Sequence, residues 1–263
     1  MNKNNAPLII EPYKVKDKKI NVIRDDYLNG GSKVRGLIPY MQQILKENPD
    51  IKEFIYSSPA YGYAQVAISV AAKILGVKSV IFVAKRKEMH PNTKEAQEFG
   101  ALIKEIPYGY LVVVKKHAQD YVNENVKTRF LLPWGLASDR FKQLLCQSIK
   151  STINLTPRKN IMQVDRIWLV VGSGTMFETL ACAFPNPSTK FNLVQVGAEY
   201  IIPDYLLDRV DKFFKAPEKY EDKAKFKNKE NPIPYPSNPW YDAKIWQFIE
   251  EYADNNDYIW NVA

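Results

Sequence analysis

The chain has 263 residues, 46% hydrophobic and 13% aromatic, which suits one large or two small packed domains and excludes a disordered chain. No apolar run approaches the roughly 20 residues that cross a bilayer, and MNKNNAPLII at the N-terminus lacks a signal-peptide core. The net charge of +8 favours anionic partners, nucleic acid among them, although lysine tracts at 14–19 and 219–229 read equally well as solvated faces.

In chain order, RDDYLNGGSKVRGL (24–37) follows a short apolar stretch and precedes a helical pattern. FIYSS (54–58) reads as a strand, and AQVAISVAAKILG (64–76) as a buried helix closed by Gly76. SVIFVA (79–84) is a second strand, HPNTKEAQEFGA (90–101) a helix and LIKEI (102–106) a third strand. LVVVKKHAQDYVNEN opens another helix or a strand-helix unit. FLLPWGLASDR (130–140) reads as a Pro/Gly loop able to hinge two lobes.

A second series follows. FKQLLCQSIKSTIN (141–154) is helical, RIWLVV (166–171) a continuous apolar strand, MFETLACAF (176–184) a helix and FNLVQVGA (191–198) a strand. Residues 215–239 look irregular, and QFIEEYA with DYIWNVA form a last helix and strand. Alternating strands and helices at this spacing predict βαβ crossovers and mostly parallel sheets, an α/β fold. Cys146 and Cys182 show no paired spacing, so reduced thiols in a cytosol-like compartment are expected.

Three stretches can carry chemistry. GSGT (172–175), between an apolar strand and a helix, can gather backbone N–H groups and the helix dipole on a phosphate. It lacks the lysine of a P-loop and the third glycine of a dinucleotide fingerprint, and alone it reads as well as a tight turn. Lys33, beside small residues at a helix start, can be desolvated into the neutral amine that a Schiff base needs. Taken alone, a solvent-exposed loop lysine is the better reading. Tyr241 and Asp242 in NPWYDAKIW offer an acid/base tyrosine beside a carboxylate, or simply an N-capping aspartate. His90 and His117 lack partners at metal-ligand spacing, which argues against zinc. Ser57 and Ser58 lack the context of a nucleophile elbow.

The order of these stretches is more telling than any one of them. A strand then GGSKVRGL, an α/β lobe, GSGT after a strand and a late PWYDAK resemble the fold-type II pyridoxal-phosphate enzymes. The nearest likeness is to the branch of 1-aminocyclopropane-1-carboxylate deaminase and D-cysteine desulfhydrase. Its RxD…GGNKxRKL is matched by RDDYLNGGSKVRGL, its GSGGT by Gly172, Ser173, Gly174 and Thr175, and its DPVY[ET]GK by NPWYDAK. AQVAISVAAKILG and the closing DYIWNVA are similar to further family segments. The resemblance implies two lobes, each a mostly parallel sheet flanked by helices. The larger, cofactor-binding lobe is expected over 1–38 and 131–263, and the smaller over 39–130.

It also implies pyridoxal 5'-phosphate as cofactor, Lys33 as Schiff-base lysine and proton carrier, GSGT as phosphate loop and Asp242 against the pyridine nitrogen, which favours a carbanion at the substrate's Cα. A small amino-acid substrate, a cytoplasmic homodimer and no membrane partner follow in the same way. The departures lie in AYGYAQ, where the family has SNHxRQ. Tyr61, Gly62 and Tyr63 replace its polar groups, which argues against opening an aminocyclopropane ring, leaves room at Gly62 for a bulkier substrate and makes Tyr61 and Tyr63 candidate proton donors. The expected function is a lyase, deaminase or transferase acting at Cα or Cβ. A phage-type enzyme acting on modified pyrimidines in DNA, and a non-catalytic cofactor-binding protein, are the alternatives.

Overall fold

The computed structural model describes residues 6–107, 109–157, 161–226 and 233–263. In chain order the first elements are β1 (Ile10–Val15), β2 (Lys18–Arg24), α1 (Val34–Glu47), β3 (Glu53–Ser58), α2 (Ala64–Leu75) and β4 (Lys78–Ala84). Next come α3 (Pro91–Glu98), β5 (Leu102–Ile106), α4 (Leu111–Asn123), β6 (Arg129–Leu131) and α5 (Asp139–Leu155). The last are β7 (Arg166–Val171), α6 (Thr175–Ala183), β8 (Lys190–Gln195), β9 (Val210–Lys215), α7 (Trp246–Tyr252) and β10 (Tyr258–Asn261). They form two compact units, Met1–Leu28 with Cys146–Ala263, and Asn29–Leu145. Residues 29–38 and 131–145 thus cluster with the smaller unit, and the division falls inside α5.

The first unit holds a six-stranded sheet in the order β1-β2-β10-β7-β8-β9. Only the β1–β2 hairpin is antiparallel; the other pairs are parallel. RIWLVV of β7 is buried from Ile167 onward, as a strand covered on both faces must be. Trp168, Val170, Val194, Ile259, Trp246 and Ile249 meet in its core. The indole of Trp168 donates to buried Asp257 (2.7 Å), which also accepts the Asp254 N–H (3.0 Å) and so closes the turn into β10.

The second unit carries a four-stranded, wholly parallel sheet in the order β5-β4-β3-β6. Its α2 is almost entirely buried, which explains its run of alanines and β-branched residues in place of an amphipathic pattern. Gly76 closes it at φ 69°, the left-handed C-cap for which glycine is suited.

Several expectations change in detail. LVVVKKHAQDYVNEN is helical from Leu111. The expected 130–140 loop holds most of β6 and a 3-10 turn at Trp134–Leu136. Of the irregular 215–239 stretch, and of the 219–229 lysine tract within it, residues 227–232 lie outside the described residues, as do residues 1–5. The cysteines need a correction. Cys146 on α5 and Cys182 on α6 form a disulfide, with Cα atoms 6.2 Å apart. Their wide sequence separation hid a packing neighbourhood that sits within disulfide reach. Among the described residues, no helix is long and apolar enough to cross a membrane.

Candidate active site

In the first unit, chemistry collects at the C-terminal edge of the sheet, where parallel α/β sheets bind ligands. β7 ends at Val171, and Gly172, Ser173 and Gly174 turn the chain into α6. Gly174 has φ +78°, and a Cβ there would lie 1.9 Å from the Tyr200 ring, so any other residue meets both strain and collision. Ser173 Oγ and Thr175 Oγ1 lie 3.1 Å apart. No side chain caps α6, the condition in which a helix N-terminus accepts an anion.

Tyr241 sits on this turn. Its hydroxyl donates to Val170 O (3.4 Å), and a Cβ at Gly172 would lie 3.2 Å from it. Burial first, then the charge of Asp242, pushes its pKa well above 10, against a backbone hydrogen bond from Gly172 that lowers it.

Asp242 opens a short 3-10 turn at Asp242–Ile245 but does not cap it, which overturns the N-cap alternative. Its carboxyl turns to the backbone just past β10, where Oδ2 accepts the Ala263 N–H (3.1 Å). The side chain is buried, and Oδ1 has no hydrogen-bond partner among the described residues. Desolvation raises its pKa to about 8, against the lowering effect of the Val262 and Ala263 N–H groups. Asp26 adds repulsion and is itself clamped by the buried Arg24, which donates Nε and Nη2 to its two oxygens (2.9 and 2.7 Å). Arg24 also bonds Glu11 and Tyr13 and lies over the Tyr27 ring.

In the second unit, Lys33 immediately precedes α1, and its Nζ donates to Gly135 O (3.4 Å). Desolvation lowers its pKa to about 8. Gly30 lets this loop pack closely on α2, because a Cβ there would lie 2.8 Å from the Ala67 Cα. The AYGYAQ loop leads from β3 into that same helix. Gln65 Nε2 donates to Ala60 O and Gly62 O (3.0 and 2.8 Å), tying the loop closed. Tyr61 meets the His90 ring edge-on at 4.8 Å, and Tyr63 donates its hydroxyl to Glu95 (2.9 Å). The expected room at Gly62 is absent, since a Cβ there would lie 3.1 Å from Ser58 Oγ and 3.2 Å from Pro59 O. Gly62 serves a tight turn and does not widen a pocket.

The structure therefore groups Gly172, Ser173, Gly174, Thr175, Tyr241 and Asp242 in one unit, and Lys33, Tyr61 and Tyr63 in the other. Sequence reasoning passed over two supporting residues. Arg24 stood in RDDYL without a role, and Lys244 of PWYDAK is wholly buried, donating to Lys219 O (2.7 Å). An arginine and a lysine inside recognised motifs were the signals for both.

No protein-family model matches the sequence, and no curated protein is significantly similar to it. Solved structures do match. An ACC deaminase homologue aligns at TM-score 0.77 with 15% identity, over 97% of this chain and 89% of that one. Diaminopropionate ammonia lyase of Escherichia coli aligns at 0.66 with 13% identity, over 97% and 82%. A pyridoxal 5'-phosphate-dependent aspartate racemase aligns at 0.59 with 13% identity, over 97% and 74%. The chain has the fold of the fold-type II pyridoxal-phosphate enzymes.

Proposed function

We propose that this chain is a pyridoxal-phosphate-dependent enzyme that breaks or makes a bond at Cα or Cβ of an amino-acid substrate. The observation that carries the reading is Asp242. A buried carboxyl with one oxygen tied to backbone and the other unpartnered is costly, and it suits a ligand that brings a cationic N–H. A protonated pyridine is such a donor. The Gly172–Thr175 turn fits the other end of the same cofactor, because its glycine-bounded N–H groups and the α6 N-terminus suit a phosphate monoester. The solved neighbours, an ACC deaminase homologue, an ammonia lyase and an aspartate racemase, support the reaction class.

Bound there, pyridoxal phosphate supplies an electron sink that eases bond breaking at the substrate's Cα. The chain's residues supply the rest. Lys33, with an amine kept partly neutral near pH 8, is the covalent anchor and the base that moves the Cα proton. Asp242 would hold a protonated ring nitrogen through its unpartnered Oδ1. Tyr241 braces the phosphate turn through Gly172, and any proton transfer by it awaits a substrate that displaces those backbone contacts. Tyr61 and Tyr63 of AYGYAQ are the candidate proton donors, although the Tyr63 hydroxyl is engaged by Glu95.

Titration of the purified chain with pyridoxal phosphate tests the reading. A stoichiometric visible absorption band is expected, and its weakening in Asp242→Asn supports the assigned contact. A chain that stays colourless with excess cofactor would refute the proposal.

A further inference from the structure

Most described arginines hold a carboxylate or, like Arg209, a set of backbone carbonyls. Among the described residues, Arg24, Arg129, Arg140 and Arg166 each pair with a carboxylate. Arg86 is exposed with no such pair, and neither neighbouring Lys85 nor Lys87 has one. Three adjacent cations against the single neighbouring carboxylate of Glu88 leave a net demand for negative charge at this surface.

Their place in the fold gives that demand a direction. β4 ends at Ala84, so Lys85–Lys87 emerge at the C-terminal edge of its parallel sheet. β3 pairs with β4 in register, Ser58 opposite Val83, so the Tyr61 loop emerges at the same edge. There the Arg86 guanidinium lies 5.7 Å from the centre of the Tyr61 ring. The ring is fixed in turn, because its edge meets buried His90 and its backbone carbonyl accepts from Asn92 Nδ2 (3.0 Å). His90 is held as the cap of α3, accepting the Asn92 N–H at Nδ1 (3.2 Å). A guanidinium held within cation–π range of a fixed aromatic ring has its N–H fork biased in direction, which favours bidentate contact with a carboxylate or phosphate.

From this we infer, resting on the cofactor reading above, that the substrate carries a second anionic group beyond Cα. Arg86 on the Tyr61 platform receives it, and Lys85 and Lys87 add attraction. The tyrosine at position 61 is thus a specificity determinant that works through the arginine above it.

The test uses the full chain loaded with pyridoxal phosphate and follows the change in its visible spectrum as amino acids are added. Aspartate and O-phosphoserine are compared with neutral asparagine and serine, in both enantiomers. Half-saturation with an anionic amino acid is expected at a concentration roughly tenfold or more below that of its neutral counterpart, the size of one charge-assisted hydrogen bond. Arg86→Gln should collapse that ratio towards one while keeping the cofactor's own band. Arg86→Lys, which keeps charge but loses the planar fork, should fall between. Preference for aspartate points to a carboxylate source and preference for O-phosphoserine to a phosphate source. Equal half-saturation for anionic and neutral amino acids, or an unchanged ratio in Arg86→Gln, overturns the inference alone. A wild-type chain that forms no visible band overturns the cofactor reading and the inference with it.

Discussion

Replacing Gly174 with alanine tests whether the phosphate turn is built as described. The new methyl group meets two obstacles. At φ +78° an L-residue with a Cβ is strained, at a cost of about 1–2 kcal/mol. The methyl carbon would also lie 1.9 Å from Tyr200 Cε2. That ring cannot swing away freely, because it stands edge-on to Phe177 and its hydroxyl bonds Glu178 (3.3 Å). Forcing it aside adds about 1–3 kcal/mol of overpacking. The sum, about 2–5 kcal/mol, is a large share of the roughly 5–15 kcal/mol that holds a domain together. Urea unfolding of the wild type, Gly174→Ala, Tyr200→Ala and the double variant separates the two parts as a mutant cycle. Removing the ring should recover the overpacking share and leave the backbone share. A coupling near zero, or a total cost for Gly174→Ala below about 0.5 kcal/mol, the size of an ordinary surface substitution, would refute the reasoning.

Three further outcomes follow from buried charges. Asp242 has its pKa raised from 3.8 to about 8, so between those values the folded chain keeps a proton that the unfolded chain has released. Stability contributed at that site is greatest at low pH and is lost as pH rises through the window. Urea midpoints from pH 4 to 9 should therefore lose part of their downward slope in Asp242→Asn; an identical slope would count against the burial argument. Lys33, with its pKa lowered from 10.5 to about 8, should react with an amine-directed acylating reagent along a curve centred near pH 8, and a midpoint near that of ordinary lysines would contradict its desolvation. Lys244 is wholly buried, donates to Lys219 O and is drawn on by Glu218, Asp222 and Glu221. Lys244→Ala removes that hydrogen bond and leaves a cavity where the buried side chain stood, and a loss of about 1–3 kcal/mol is expected in thermal or urea unfolding. Little or no loss would show that the site is hydrated and adaptable.

The fold was largely legible because its central strands are continuous apolar runs. RIWLVV, SVIFVA and DYIWNVA are each buried by neighbours on both sides, and their short length and β-branched or aromatic content favour a strand over a buried helix. The outer strands of the six-stranded sheet escaped. β1 carries Glu11, Pro12 and Lys14, and β9 carries Asp211, Lys212 and Lys215, the charged and proline-bearing composition that protects an exposed edge but resembles a loop.

The candidate site was legible in its residue types and much less so in their surroundings. GSGT declared its turn through its glycines. Nothing local told that Tyr200, far along the chain, packs onto Gly174, or that Asp242 turns to the C-terminal backbone and does not cap its own turn. Gly62 suggested open space because a side chain was missing, whereas Ser58 and Pro59 fill that space. Cys146 and Cys182 failed in the same way, since spacing along the chain says little when two helices bring distant residues together.

The most direct measurement of the central claim is the address of the cofactor. The chain is loaded with pyridoxal phosphate, reduced with borohydride and digested, and the peptides are mapped by mass. One pyridoxyl adduct is expected, on Lys33, absent from Lys33→Ala. An adduct at another lysine, or one scattered over the many surface lysines, would contradict that claim.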